Sequence, residues 1–164
     1  MTRVLYAANR LARALNRAGE DSAGALGVTL PQYLVMQVLG EGVPMANARL
    51  ARRTFVSPQA SNTVVHELLT LGVVTRRDDP GDGRTMLISL TDKGWELLVA
   101  CDEAVLALEH RLAAELGEPQ GALLRYLSDA SEILAGGYFG DVGAEKQARQ
   151  RRDSAPRASG PRAD

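Results

Sequence analysis

Apolar positions along this 164-residue chain fall mostly into stripes spaced three and four residues apart, the spacing of helices buried on one face. Val4, Ala8, Leu11 and Leu15 make the first stripe, with Arg3, Arg10, Arg13 and Arg17 largely elsewhere, which predicts an amphipathic helix over about 2–24. Gly24 and Gly27 loosen its end. Thr29-Leu30-Pro31-Gln32 then reads as a capping box, the threonine bonding forward and the glutamine reaching back. It opens a second helix through Tyr33, Leu34, Met36, Val38 and Leu39 that stops at Gly40. After a short connection over Glu41 to Pro44, residues Ala46 to about Arg53 form a third helix, with Leu50 and Ala51 inward and Arg49, Arg52 and Arg53 outside.

The segment Ser57 to Thr91 changes character twice. Ser57 caps a helix, Pro58 sits where a missing N–H costs nothing, and Gly72 marks the end. Ala60, Val64, Leu68 and Leu71 predict its buried stripe, while Gln59, Asn62, Thr63 and His66 crowd short uncharged donors and acceptors onto the other face. A helix entering a DNA major groove carries such groups in its first turns. Val73-Val74 and Met86 to Leu90 are β-prone runs separated by the turn-rich DDPGDGRT, so a ribbon follows the helix directly. A helix pair followed by such a ribbon is a winged helix-turn-helix. The wing tip offers Arg84 for a narrow minor groove, with Asp82 two residues away to orient it and Gly83 suited to the tight turn. Arg76 and Arg77 lie near the ribbon's base.

Thr91 caps a long helix with Leu97, Cys101, Ala104 or Val105, Leu108 and Leu112 on its stripe, ending near Leu116. Pro119 restarts the chain, and Leu123, Leu127, Ala130 and Leu134 form another stripe up to Gly136-Gly137. One N-terminal and two C-terminal amphipathic helices exceed what a small winged-helix core needs, and the economical cover for their apolar faces is a second copy. Beyond Gly143 periodicity stops. Six basic residues against three acids predict a disordered basic tail over 143–164, either an aid to DNA attraction or a plain solubilising end. The expected fold class is therefore mainly α with a small β-wing, in a single domain over 1–142: helices over about 2–24 and 92–136 flank a winged helix-turn-helix over about 29–91.

The motifs carry a family resemblance. Asp82-Gly83-Arg84 followed by Leu90-Thr91 resembles the D-x-R…LT wing signature of MarR-type winged-helix repressors, and Leu50-Ala51-Arg52-Arg53 with Ser57-Pro58-Gln59 resembles that family's two helix-turn-helix helices. The similarity covers about residues 28–95. Phe55 stands where many relatives carry Gly, and Thr54 where many carry an apolar residue, so the turn between the two helices is a place to expect a different build. The resemblance implies a homodimer interlocked through the first, fifth and sixth helices. It also implies a small effector, for example a phenolic or aromatic acid, between the dimerising helices and the winged-helix lobe, for which Tyr33, Met36, Arg10 and Arg13 are the candidate lining groups.

Charge supports a DNA-facing lobe although the net formal charge is only −1. Met45 to Lys93 holds seven Arg/Lys against five Asp/Glu, whereas Gly94 to Val142 holds two against nine, so positive potential gathers on the winged helix. The expected roles follow. Gln59, Asn62 and Thr63 read base edges, Ala60 meets a thymine methyl, and Arg84 enters the minor groove beside Asp82. Arg49, Arg52, Arg53, Ser57, His66, Arg76 and Arg77 hold phosphates of a pseudo-palindromic duplex. With aromatics at 4%, base-stacking platforms are not expected.

Nothing converges as an active site: two histidines and one cysteine do not make a zinc site, and no glycine-rich phosphate loop follows a strand. No enzyme, cofactor or metal is expected. The lone Cys101 allows no internal disulfide, and with no signal-peptide run or membrane span a cytoplasmic protein without membrane contact is expected. Two alternatives stand beside the repressor: a winged-helix module that binds protein rather than DNA, and a regulator sensing oxidants through Cys101, whose place on an apolar stripe favours a buried inert thiol.

Overall fold

The computed structural model describes residues 3–117 and 121–135. In order the elements are α1 (Val4–Gly24), α2 (Leu30–Leu39), β1 (Met45–Ala46), α3 (Asn47–Arg53), α4 (Pro58–Thr70), β2 (Val74–Asp79), β3 (Asp82–Leu90), α5 (Asp92–Leu116) and α6 (Ala122–Ala135). The sequence predicted all six helices. The expected restart at Pro119, the stop at Gly136-Gly137 and the basic tail over 143–164 lie outside the described residues.

Local chemistry sets the helix starts. Thr29 and Gln32 form the capping box: the Thr29 N–H donates to Gln32 Oε1 at 2.9 Å and the Gln32 N–H to Thr29 Oγ1 at 3.4 Å. Ser57 Oγ accepts the Ala60 N–H at 3.1 Å, and Thr91 Oγ1 accepts the Gly94 N–H at the same distance. Thr91 also donates to the Gly72 carbonyl at 2.8 Å, and Lys93 Nζ to the Leu71 carbonyl at 2.7 Å. The end of α4 is thus held by the start of α5. Gly94 allows this approach, because a Cβ there would lie 2.0 Å from the Val73 carbonyl oxygen.

Three antiparallel strands lie in the order β1-β3-β2. Met45 faces Ile88 across one ladder, and Val74 faces Leu90 across the other. The first strand corrects the sequence reading, which assigned Met45 to no element and began a helix at Ala46: two residues are too short for any alternation to register. The wing differs as well. Its strands run on to Asp79 and resume at Asp82, leaving only Pro80 and Gly81 in the turn, because ladder hydrogen bonds are made by the backbone and continue through polar side chains.

The core gathers Val35, Met36, Met45, Leu50, Val65, Leu68, Val73, Ile88 and Cys101, all essentially inaccessible. It lies where α2, α3 and α4 meet the sheet and the first half of α5. The stripe foreseen on α4 is corrected. Ser61, Val65 and Leu68 are buried, Val64 is half-buried, and Ala60 and Leu71 are exposed, so the inward face is turned by about one residue. On α1 the predicted stripe is not covered within one chain: Val4 is 85% exposed and Ala8 exposed, with Leu11 and Leu15 half-buried. On α6, Leu123 is half-buried while Leu127 and Ala130 are exposed. Among the described residues no helix is long and apolar enough to cross a membrane.

Candidate nucleic-acid interface

Gln59, Asn62, Thr63 and His66 are all exposed, and at 3.6 residues per turn they fall within about 100° of arc on α4, opposite Ser61, Val65 and Leu68. The arrangement offers amide, hydroxyl and imidazole groups on one side of a helix whose other side is fixed in the core. Thr63 spends its hydroxyl proton on the Gln59 carbonyl at 3.3 Å, so towards a ligand it presents acceptor lone pairs. Ala60 is exposed beside this face, and Ser57 at its start is engaged as the cap.

Two braces that sequence reading missed hold this helix. Ser61, fully buried, donates its hydroxyl to Asn47 Oδ1 at 2.7 Å, and Asn47 Nδ2 donates to the Pro58 carbonyl at 3.0 Å, pinning α3 to the first turn of α4. Gln32, which closes the capping box of α2, also donates Nε2 to Glu67 Oε2 at 2.9 Å. The one carboxylate of α4 is thereby tied to α2. A serine four residues before Val65 and seven before Leu68 was a usable signal, since a small polar residue on an apolar stripe implies a nearby partner.

The turn between α3 and α4 is a Schellman motif: the Val56 N–H bonds the Ala51 carbonyl at 3.1 Å and the Phe55 N–H the Arg52 carbonyl at 3.4 Å. Phe55 occupies the left-handed position at φ 57°. The turn is therefore not rebuilt as the sequence suggested. It keeps the glycine geometry with a phenylalanine, at a cost of about 1–2 kcal/mol. Thr54 supports it by donating Oγ1 to the Leu50 carbonyl at 2.9 Å.

Arg53 requires a correction. Its guanidinium forms a two-pronged ion pair with Glu41 and its side chain is 17% exposed, so it fastens the end of α3 to the loop after α2 instead of standing outside for a phosphate. Arg49 is half-buried, against the expectation that it lies outside, and Arg52 is exposed. On the wing, Arg76 and Arg77 are both exposed but adjacent on β2, so they point to opposite faces and cannot serve one strand of phosphates together. Arg84 stands out from the tip, 97% exposed. Asp82 organises its backbone: Oδ1 accepts the Arg84 N–H at 3.2 Å, Oδ2 accepts the Thr85 hydroxyl at 2.9 Å, and the Arg84 Nε lies 3.9 Å from Oδ1. A register shift falls there, since Asp78 faces Met86 while Asp79 faces Asp82, and the extra residues of the bulge carry Arg84 outward.

The residues proposed for an effector pocket are not brought together. Met36 is fully buried in the core and Tyr33 nearly so, its hydroxyl donating to Asp102 Oδ1 on α5 at 2.8 Å. Burial, then that hydrogen bond, pushes the Tyr33 phenol well above its ordinary pKa. Arg10 and Arg13 are exposed on α1, Arg10 lying 5.9 Å over the Tyr6 ring. Two turns further on, α1 instead borders a cleft of about 220 Å³ with α2 and the α3–α4 turn. Cys101 is buried, and desolvation first, then the Asp102 charge, pushes its thiol pKa up. A thiol held protonated and out of solvent is a poor oxidant sensor. Among the described residues no group of three or more His, Cys, Asp or Glu could hold a metal.

An exposed, uncharged polar face on the second helix of a braced pair, followed by an arginine-tipped ribbon, defines a winged helix-turn-helix DNA-binding protein. The comparisons place it further. The MarR family model matches residues 26–85. The HTH-type transcriptional repressor Rv2887 of Mycobacterium tuberculosis is 32% identical over 115 residues, 70% of this chain and 83% of that protein. Its crystal structure with salicylic acid superposes with a TM-score of 0.63 at 28% identity, covering 82% of this chain and 97% of that one. Its complex with DNA gives a TM-score of 0.65 at 27% identity, covering 79% and 98%. The chain belongs to the MarR family of transcriptional regulators. It is a regulator and not an enzyme.

Proposed function

We propose that the protein is a cytoplasmic, homodimeric repressor that grips a pseudo-palindromic duplex with two copies of α4 and releases it when a small molecule binds. The observation that carries the reading is the face of α4: Gln59, Asn62 and Thr63 are exposed together while Ser61 and Gln32 lock the opposite side to α3 and α2. In this role the three side chains read base edges in the major groove, Ala60 meets a thymine methyl and Arg84 enters the minor groove. Arg52, Ser57, His66 and one of Arg76 and Arg77 neutralise or cap phosphates, and half-buried Arg49 reaches one at its edge. Arg53 acts on the duplex only through the shape of α3.

The dimer is supported by what one chain leaves uncovered. Val4 at 85% and Leu5 at 79% exposure on α1, and Tyr126 at 68% and Ile133 at 81% on α6, are large apolar side chains left open to solvent. A second copy related by a two-fold axis is the economical cover for them.

The test is fluorescence anisotropy with the duplex upstream of the protein's own gene and a scrambled duplex of equal length. Asn62→Ala is expected to cost about 1–3 kcal/mol on the specific duplex and nothing on the scrambled one. Equal losses on both would remove Asn62 from base reading, and no preference by the unaltered protein would remove the repressor.

A further inference from the structure

We propose that the cleft between α1, α2 and the α3–α4 turn is the effector site, and that its ligand is a small cationic amphiphile, an amine on a single ring or short apolar chain. The inference rests on reading the chain as a ligand-responsive DNA-binding regulator and names the chemistry of the ligand. The cleft is bordered on α2 by Leu30, Pro31, Leu34 and Val35, and neither Tyr33 nor Met36 lines it, so this is a different site from the one foreseen in the sequence. Its volume of about 220 Å³ is below the roughly 300–1,000 Å³ of sites for drug-sized molecules, which limits the ligand to one ring.

The lining divides by chemistry. Leu30 and Leu34 of α2, Val56 of the turn and Val64 on the back of α4 give an apolar floor. The α1 wall carries Asn16 and Glu20, one helical turn apart and so on one face. Glu20 accepts the Leu30 N–H only at 3.5 Å, the limit of a hydrogen bond, which leaves its carboxylate with acceptor capacity for a ligand. Thr54 spends its proton on the Leu50 carbonyl, and among the described residues no lysine or arginine lines the cleft. A carboxylate-bearing ligand such as the salicylic acid held by the similar mycobacterial protein would bring a like charge to Glu20. An ammonium meets an opposite one.

The cleft also has the placement for a switch. One wall is α1 and the other is the turn leading into α4, where Val64 adjoins Thr63 of the reading face. A ligand that fills it better in one spacing of these elements than in another shifts the population towards that spacing, and only that difference in affinity moves DNA binding.

The experiment uses the full chain with methyl-labelled valine and leucine, titrated with 2-phenylethylamine, neutral 2-phenylethanol and anionic 3-phenylpropionate. The amine should shift the Val56 and Val64 methyls saturably, and the acid should not. Glu20 is exposed, so E20Q leaves the fold intact and should weaken the amine about three- to tenfold while leaving the alcohol unchanged. Occupancy by the amine should lower duplex affinity about 5–150-fold. Acid binding as strong as amine binding, no saturable shift with the amine, unchanged amine affinity in E20Q, or saturation without loss of duplex affinity would each overturn the proposal. The duplex titration without any ligand tests the parent reading alone: a chain that binds no duplex there is no repressor, whatever the amines do.

Discussion

Gln32 links two helices with one side chain, and the energetic consequence can be worked from its contacts. It is 7% exposed, accepts the Thr29 N–H and donates to Glu67, both at 2.9 Å. The first bond is neutral and contributes about 0.5–1.5 kcal/mol, and the second, to a carboxylate, about 1.5–3 kcal/mol. Glu67 is exposed and regains water when released, so the lower end of the second range applies. Gln32→Met, which keeps the volume and removes both bonds, should therefore cost about 2–3 kcal/mol, or roughly 4–12 °C in Tm for a chain of this size. Urea unfolding of the wild type, Gln32→Met, Glu67→Ala and the double variant, at one fixed protomer concentration, gives the α2–α4 coupling from the cycle. A coupling of about 1–2 kcal/mol is expected. A value indistinguishable from zero, with the two single losses simply adding, would refute the claim that this contact positions the reading helix.

Arg53→Ala and Arg52→Ala separate architecture from phosphate contact. Arg52→Ala should reduce the slope of log affinity against log salt by about 0.9, while Arg53→Ala should lower stability by about 1 kcal/mol and leave that slope intact. Phe55→Gly relieves the left-handed strain at φ 57°, and chemical denaturation should show no loss, up to a gain of about 1 kcal/mol, despite the smaller side chain. A clear destabilisation would mean that the ring contributes more than the strain costs. At high pH the sign is fixed by the raised pKa values of Tyr33 and Cys101. Their contribution is complete below the ordinary values of about 10 and 8.5 and is lost as pH rises above them, by up to about 1.4 kcal/mol per pH unit for each group. Tyr33→Phe should flatten the part of that decline above about pH 10, and an unchanged pH profile would contradict the buried phenol.

Much of the winged helix was legible because its signals are local. Ser57, Thr91 and the Thr29–Gln32 box mark helix starts within four residues, and the polar face of α4 needs only the helical period. Asp82 lies two residues from Arg84, so its hold on the wing tip was also within reach. Contacts between distant segments were not visible. Ser61 is buried because Asn47, fourteen residues earlier, takes its proton, and a reading that ranks positions by apolar character passes over it in favour of Ala60. Arg53 was assigned to phosphate because its charge was seen and Glu41, on the far side of a loop and a strand, was not weighed against it. The family resemblance suggested Met36 for a ligand pocket, whereas it is fully buried in the core and Leu30 and Leu34 lie at the cleft.

The central claim, that two copies of this chain read a symmetric duplex, is tested most directly by selecting bound fragments from a random pool of double-stranded DNA with the full-length protein at physiological salt. The account predicts an enriched pseudo-palindrome whose half-sites lie about 10 bp apart, centre to centre, with Asn62→Ala relaxing the same position in each half. Recovery of a single unpaired half-site, or of no enriched sequence at all, would contradict it.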